Sequence, residues 1–188
     1  MGRWEPNARE RLAEAALELY GERGYEQTTV AEIAKRAGLT ERTFFRHYAD
    51  KREVLFGGSR ELEELFVRAV ADAPAGAAPI EALAAGLDAA SEVFADRRAY
   101  ARARHAVITA NAELKERELV KLASLSAALA GTLRGRGVPE PAASLAAEAG
   151  VAVFKIGYER WLEAPDDRDM VRLVREALTA FKAVAAGG

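Results

Sequence analysis

Residues 29–51, Thr29-Val-Ala-Glu-Ile-Ala-Lys-Arg-Ala-Gly-Leu-Thr-Glu-Arg-Thr-Phe-Phe-Arg-His-Tyr-Ala-Asp-Lys51, decide how this chain folds. Thr29 can cap a helix N-terminus, and Glu32 three residues later completes a capping box. Val30, Ile33, Ala34 and Ala37 recur at helical spacing and form one apolar face. Gly38 follows where the chain must turn sharply, a conformation glycine adopts without a Cβ clash. Thr40 is a second cap and opens a helix of about two turns. Phe44 and Tyr48, four residues apart, point to one side. Glu41, Arg42, Thr43, Phe45, Arg46 and His47 are left on the remaining surface. Asp50 and Glu53 then repeat the capping pattern. Two short helices about a glycine turn are the layout of a helix-turn-helix, whose second helix enters the DNA major groove.

Working outward, Arg11, Leu12, Ala15, Ala16, Leu19 and Tyr20 predict a preceding helix that stops at Gly24. Three helices with one shared apolar centre make a small domain over residues 1–52. Here the sequence resembles the TetR family of bacterial transcriptional repressors. The carrying residues are Ala15-Ala16-Leu17-Glu18-Leu19-Tyr20, Gly24-Tyr25, Thr28-Thr29-Val30, Ile33-Ala34, Ala37-Gly38-Leu39-Thr40, Thr43-Phe44-Phe45 and Tyr48-Ala49-Asp50-Lys51. They span residues 8–56 with order and spacing intact. The resemblance implies that Thr29 faces a phosphate and that Glu41, Arg42 and Thr43 lie nearest the base edges. It implies phosphate contacts for His47 and Lys51, which fix register without reading sequence. Phe45 stands where the family often carries tyrosine. It lacks the phenol hydroxyl, yet its ring can pack on a thymine methyl. Arg3, Arg9 and Arg11 are candidates for an arm in the minor groove, with Arg3 read rather as part of a frayed terminus.

The net charge of −2 does not announce a nucleic-acid partner. The local balance does, because Lys35, Arg36, Arg42, Arg46, Lys51 and Arg52 face only Glu41 and Asp50 within residues 35–52. A compact positive patch suffices to neutralise phosphates. The chain has no cysteine, which excludes a disulfide scaffold, a cysteine-ligated zinc site and a thiol nucleophile. His47 and His105 fall in different predicted elements with no metal-ligand spacing, so neither metal nor cofactor is expected. No serine–histidine–acid set, phosphate loop or paired-carboxylate motif points to an enzyme. No apolar run approaches the roughly 20 residues that cross a bilayer, and no signal core opens the chain; the expected location is cytoplasmic, with no membrane partner.

Half of the 188 residues are hydrophobic, many of them alanine, which favours an all-α fold of about nine helices. Residues 53–188 are expected to form a C-terminal helical bundle for ligand binding and dimerisation. The spacing predicts one long helix over residues 50–72, weakened at Gly57-Gly58, then helices over 80–95, 96–110, 112–134, 142–163 and 168–185. A set of polar groups falls on an otherwise apolar face: Tyr100, Arg104, Val107, Ile108 and Asn111 share one side of a helix. Walled by Phe66, Phe94, Phe154 and Tyr158, they make a candidate effector pocket, mostly apolar with a few placed polar groups. The alternative is ordinary core, with Arg104 paired to a carboxylate such as Glu148. The last two helices carry Gly150, Gly157, Trp161, Val171, Val174, Leu178 and Phe181, more apolar surface than one neighbour covers. They are expected to form a four-helix contact with a second copy, the alternative being intrachain core.

Together these readings predict a homodimeric transcriptional regulator, a repressor, bound to a palindromic double-stranded operator and released by a small hydrophobic effector. In an alternative the effector is absent and the bundle serves only dimerisation or a protein partner.

Overall fold

A computed structural model describes residues 7–165 and 168–187 of the chain. Every regular element among the described residues is helical, with no strand: α1 (Ala8–Arg23), α2 (Val30–Arg36), α3 (Glu41–His47), a 3-10 turn (Glu53–Phe56), α4 (Ser59–Ala71), α5 (Pro79–Glu92), α6 (Arg98–Ala110), α7 (Ala112–Gly135), α8 (Ala142–Glu163) and α9 (Met170–Ala185). None is long and apolar enough to cross a membrane.

The described residues divide into two compact units, one made of those up to Ser59 with Arg102–Leu119, the other of Arg60–Ala101 with those from Val120 onward. This differs from the expected boundary at 52/53. The first unit runs through the 3-10 turn, whose Val54, Leu55 and Phe56 are buried, and it recruits Ile108 and Leu114 from α6 and α7 as core. The expected long helix over 50–72 is also corrected. Asp50 accepts the N–H groups of Arg52 (2.8 Å) and Glu53 (3.1 Å), which starts a tight 3-10 turn that ends at Gly57 before α4 begins.

In the first unit α1 packs on α2, α3 and the 3-10 turn. Asn7 opens α1 by accepting the Glu10 N–H at 3.0 Å. Leu12, Ala16, Leu19 and Tyr20 of α1 meet Ile33 and Ala34 of α2 and Phe44 of α3 in a closed core. Gly24 stops α1 at φ 86°, its N–H bonded to the Tyr20 carbonyl at 3.0 Å.

The second unit is a bundle in which α5, α8 and α9 pack on one another. Its core includes Phe66, Val70, Leu83, Leu87, Leu129, Leu133, Val153, Phe154, Trp161, Leu173 and Val174. Gly157 makes the α8–α9 approach possible: a Cβ there would lie 2.5 Å from Val174 Cγ2 and 2.8 Å from its Cα. Gly150 does the same against α5, where a Cβ would sit 3.2 Å from Leu83 Cδ2. These glycines therefore serve packing within the chain. With Trp161, Val174 and Leu178 buried as well, that part of the expected contact with a second copy is corrected to intrachain core. Val171 and Phe181 remain half-buried.

Candidate nucleic-acid interface

The reading helix is set by two caps and a turn. Thr29 accepts the Glu32 N–H, while the Glu32 carboxylate takes both the Thr29 N–H and its hydroxyl at 2.9 Å, closing the capping box. Those bonds, led by the one from the Thr29 backbone, hold the Glu32 carboxyl below its ordinary range. After α2, Gly38 adopts φ 65°, and its N–H reaches the Lys35 carbonyl while the Leu39 N–H reaches back to Ala34 at 2.8 Å. This is a glycine-terminated Schellman stop, which satisfies carbonyls the helix leaves open. Thr40 then caps α3 by accepting the Thr43 N–H at 3.2 Å.

Seven residues make α3, and only Phe44 among them is fully buried. Its ring lies 5.6 Å from that of Tyr48, whose hydroxyl donates to the Arg9 carbonyl at 3.1 Å. With the inner side pinned this way, Glu41, Arg42, Phe45 and Arg46 are exposed, and Thr43 and His47 are half-exposed. Arg42 makes no ion pair among the described residues, so its five N–H donors face outward. Arg46 Nη2 and His47 Nε2 lie 3.4 Å apart at the end of the helix. The structure thus brings Thr40, Glu41, Arg42, Thr43, Phe45, Arg46 and His47 onto one short helix.

Two expected phosphate contacts are placed differently. Both donors of Thr29 are taken by Glu32, so a phosphate there must compete with a carboxylate. Lys51 is turned inward: its Nζ donates to the carbonyls of Tyr25 (3.0 Å), Glu26 (3.3 Å) and Thr28 (3.2 Å) and lies 4.4 Å from the Tyr25 ring centroid. An ammonium has three protons, and three carbonyls take them. Lys51 therefore staples the α1–α2 loop instead of presenting a free charge. The alternation of residue types carries no signal for this, because the carbonyls belong to a loop more than twenty positions away. Of the arm residues, Arg9 donates to the Gly57 carbonyl and Arg11 to that of Ala37, while Arg3 lies outside the described residues. Arg36 is bound to Glu18 (3.0 Å) and Glu22 (2.8 Å) across to α1, a pairing the sequence reading also missed.

The candidate effector residues separate between the two units. Phe66, Phe94, Phe154 and Tyr158 come together, with Phe154 and Tyr158 stacked at 6.4 Å and Phe94 edge-on to Tyr158 at 5.5 Å. Trp161 joins the same cluster. Tyr100 belongs to this unit too, whereas Arg104, Val107 and Asn111 belong to the first. Arg104 is corrected from a ligand-facing cation to a structural one. Its Nε donates to the Leu55 carbonyl at 2.8 Å, Nη1 pairs with Glu118 at 3.3 Å, and the guanidinium lies 5.0 Å from the Phe56 ring centroid. The carboxylate is not Glu148, which accepts from Ser126 at 2.7 Å. Asn111 donates to Val107 of its own helix end at 2.6 Å. Two surface clefts of the second unit, about 540 and 260 Å³, are lined by Asp169 with α9 side chains and by α7 and α8 side chains, and neither lining includes a residue of the aromatic cluster.

Comparison with known proteins agrees with this geometry. Residues 12–56 match the family model of bacterial regulatory proteins of the tetR family, and residues 77–186 match that of the MftR C-terminal domain. The regulator TcmR of Streptomyces glaucescens is 43% identical over 75 residues, which are 40% of this chain and 33% of that protein. MftR of Mycobacterium tuberculosis, named for mycofactocin biosynthesis, is 33% identical over 57 residues, 30% of this chain and 29% of its own. The chain thus aligns with about a third of the length of these curated relatives. Among solved structures, the repressor FadR of Thermus thermophilus in complex with lauroyl-CoA superposes with a TM-score of 0.55 at 27% identity, covering 91% of each chain. The helix-turn-helix geometry agrees with the family models matched over residues 12–56 and 77–186: the chain belongs to the TetR family of bacterial regulatory proteins.

Proposed function

We propose that the protein is a transcriptional repressor that binds a palindromic operator as a dimer and leaves it when a hydrophobic effector enters the second unit. The observation that carries the reading is α3, whose single buried residue leaves a row of polar side chains and one aromatic ring facing out. A two-fold protein demands a two-fold site, with half-sites about one helical turn apart.

The second copy is assigned to α8. Leu145 (66% exposed) and Ile156 (50% exposed) lie on one side of that helix with Ala149 and Ala152 between them. Spacings of four, three and four residues keep them in one stripe, and the small central pair permits close approach of a symmetry mate. For the effector, the cluster of Phe66, Phe94, Phe154, Tyr158 and Trp161 offers apolar walls, and the acyl-CoA held by the Thermus FadR supports an acyl chain as the occupant. Release then requires that the ligand favour one state over the other, typically by about 1–3 kcal/mol of coupling. Arg104, committed to the Leu55 carbonyl and Glu118, is not counted among the effector contacts.

Selection of binding sites from random duplex DNA at moderate salt tests the core of this reading. A selected palindrome supports it, and a single unrepeated half-site refutes the dimeric part. Lauroyl-CoA added to the selected complex tests the effector part: release of the DNA supports it. Unchanged binding at saturating lauroyl-CoA favours the second reading, in which the tightly stacked rings are core and no small molecule acts.

A further inference from the structure

Phe45 is the one large apolar side chain on the outward side of α3, and it is 56% exposed. Its neighbours on that side are Glu41, Arg42 and Arg46, all polar and all exposed. The ring meets the buried Phe44 edge-on, with centroids 5.5 Å apart and planes at 81°. Phe44 is itself fixed in the core against Tyr48. An exposed apolar ring on the proposed DNA-reading face gains most where it meets an apolar surface. Among the unmodified bases the floor of the major groove offers one such group, the 5-methyl of thymine; every other group there is a hydrogen-bond donor or acceptor or a bare ring edge. A phenyl ring has no hydroxyl, so it cannot serve phosphate or base as a hydrogen-bonding partner.

We infer that Phe45 is a specificity-determining residue that reads the 5-methyl group of a thymine, one in each half-site. The inference rests on the proposed insertion of α3 in the major groove and adds the chemical identity of one position in the site. Arg42, one turn earlier on the helix, is placed to read a neighbouring base, so the thymine is expected next to the base Arg42 selects.

The test uses the full-length protein and the operator obtained by site selection. Each thymine is replaced in turn by deoxyuridine, which removes the methyl group and leaves the pairing edge unchanged. Binding is measured for the wild-type protein and for Phe45→Ala. Because Phe45 is exposed, the variant is expected to fold, and its circular dichroism and melting temperature serve as the control. The expected result is one thymine per half-site whose loss of a methyl weakens wild-type binding about fourfold, the worth of one buried methyl group. Phe45→Ala is expected to bind the thymine and uracil operators equally at that position. Restoring the methyl on 5-methylcytosine, paired with guanine, is expected to return part of the loss in the wild type only. A selected operator with no methyl-sensitive position, or with equal sensitivity in Phe45→Ala, overturns this inference and leaves the proposed function standing. Failure to select any operator overturns both.

Discussion

At the scale of single residues, the same charge has two fates in the first unit. Arg42 stands clear on α3, whereas Lys51 is enclosed by three carbonyls and the Tyr25 ring. Their removal is expected to separate in the salt dependence of DNA binding. Arg42→Ala is expected to cost about 1–3 kcal/mol and to relax selection at one position per half-site, as loss of a bidentate base contact does. Lys51→Met is expected to lower the melting temperature by leaving the part-buried Tyr25 and Thr28 carbonyls without their donor, a loss of about 1 kcal/mol or more, while the slope of log affinity against log salt stays as in the wild type. A slope reduced by about one in Lys51→Met shows a phosphate contact instead. Tyr20 gives a third residue-scale expectation. Burial, then the nearby Tyr25 and Asp50, push its phenol far above the ordinary value, and its hydroxyl donates to the Lys51 carbonyl at 2.6 Å. Burial first, then Glu113, raises Tyr25 likewise. A group whose folded pKa is raised contributes stability that is complete below its unfolded value, about 10 for tyrosine, and is lost as pH rises beyond it. The melting temperature is therefore expected to fall as pH rises beyond about 10, and to fall less in Tyr20→Phe, which has no phenol to ionise there; an equal fall in both proteins contradicts it.

At the scale of elements, what was legible and what was not separates by the range of the contacts involved. The α2–α3 hairpin could be read because its determinants are local: Thr29 with Glu32, Gly38 at positive φ, and Thr40 with Thr43 all act within four residues. The span of α8 could be read for the same reason, since Pro141 and the Ala164-Pro165 pair punctuate it. The partner of each helix face was not legible. Gly150, Gly157 and Trp161 declare a close-packed face, but whether α5 and α9 of the same chain or a second copy fills it is a long-range fact. Arg104 illustrates the same limit. Its position on an apolar face announced a partner, yet the carbonyl and carboxylate that satisfy it come from Leu55 and Glu118. The α8–α9 contact makes a sharp prediction. Gly157→Ala places a methyl against the Val174 backbone, which cannot swing aside as a side-chain tip can. The offset from improved helix propensity is about 1 kcal/mol, while overpacking costs about 1–3, so net destabilisation is expected in urea unfolding. Gly58→Ala, with nothing within 4 Å of the added Cβ, is the control expected to leave stability within about 1 kcal/mol. Equal midpoints for the two variants refute the close approach.

At the scale of the whole molecule, the buried positions of α8 leave its outer stripe to explain. Leu145 and Ile156 are large, apolar and exposed, and single exposed hydrophobics need no account, but a stripe of four apolar residues on one helix does. An isologous contact would place each stripe against its own copy, so a charge introduced at its end meets the contact twice. Ile156→Arg is therefore expected to turn a dimer into a monomer at micromolar concentration in light scattering, with the melting temperature of the chain itself little changed, since Ile156 contributes little to the intrachain core. The consequence for DNA follows from the linkage of two reading helices. A monomer holds one half-site, and the second site no longer benefits from an effective concentration set by tethering. Affinity for the full palindrome is expected to fall about a hundredfold or more, while affinity for an isolated half-site is unchanged. If Ile156→Arg remains dimeric, the two-fold contact lies elsewhere, and the half-buried Val171 and Phe181 of α9 become the next positions to charge. If it is monomeric and still binds the palindrome as tightly as the wild type, two protomers are not needed at once and the requirement for a two-fold operator fails with it.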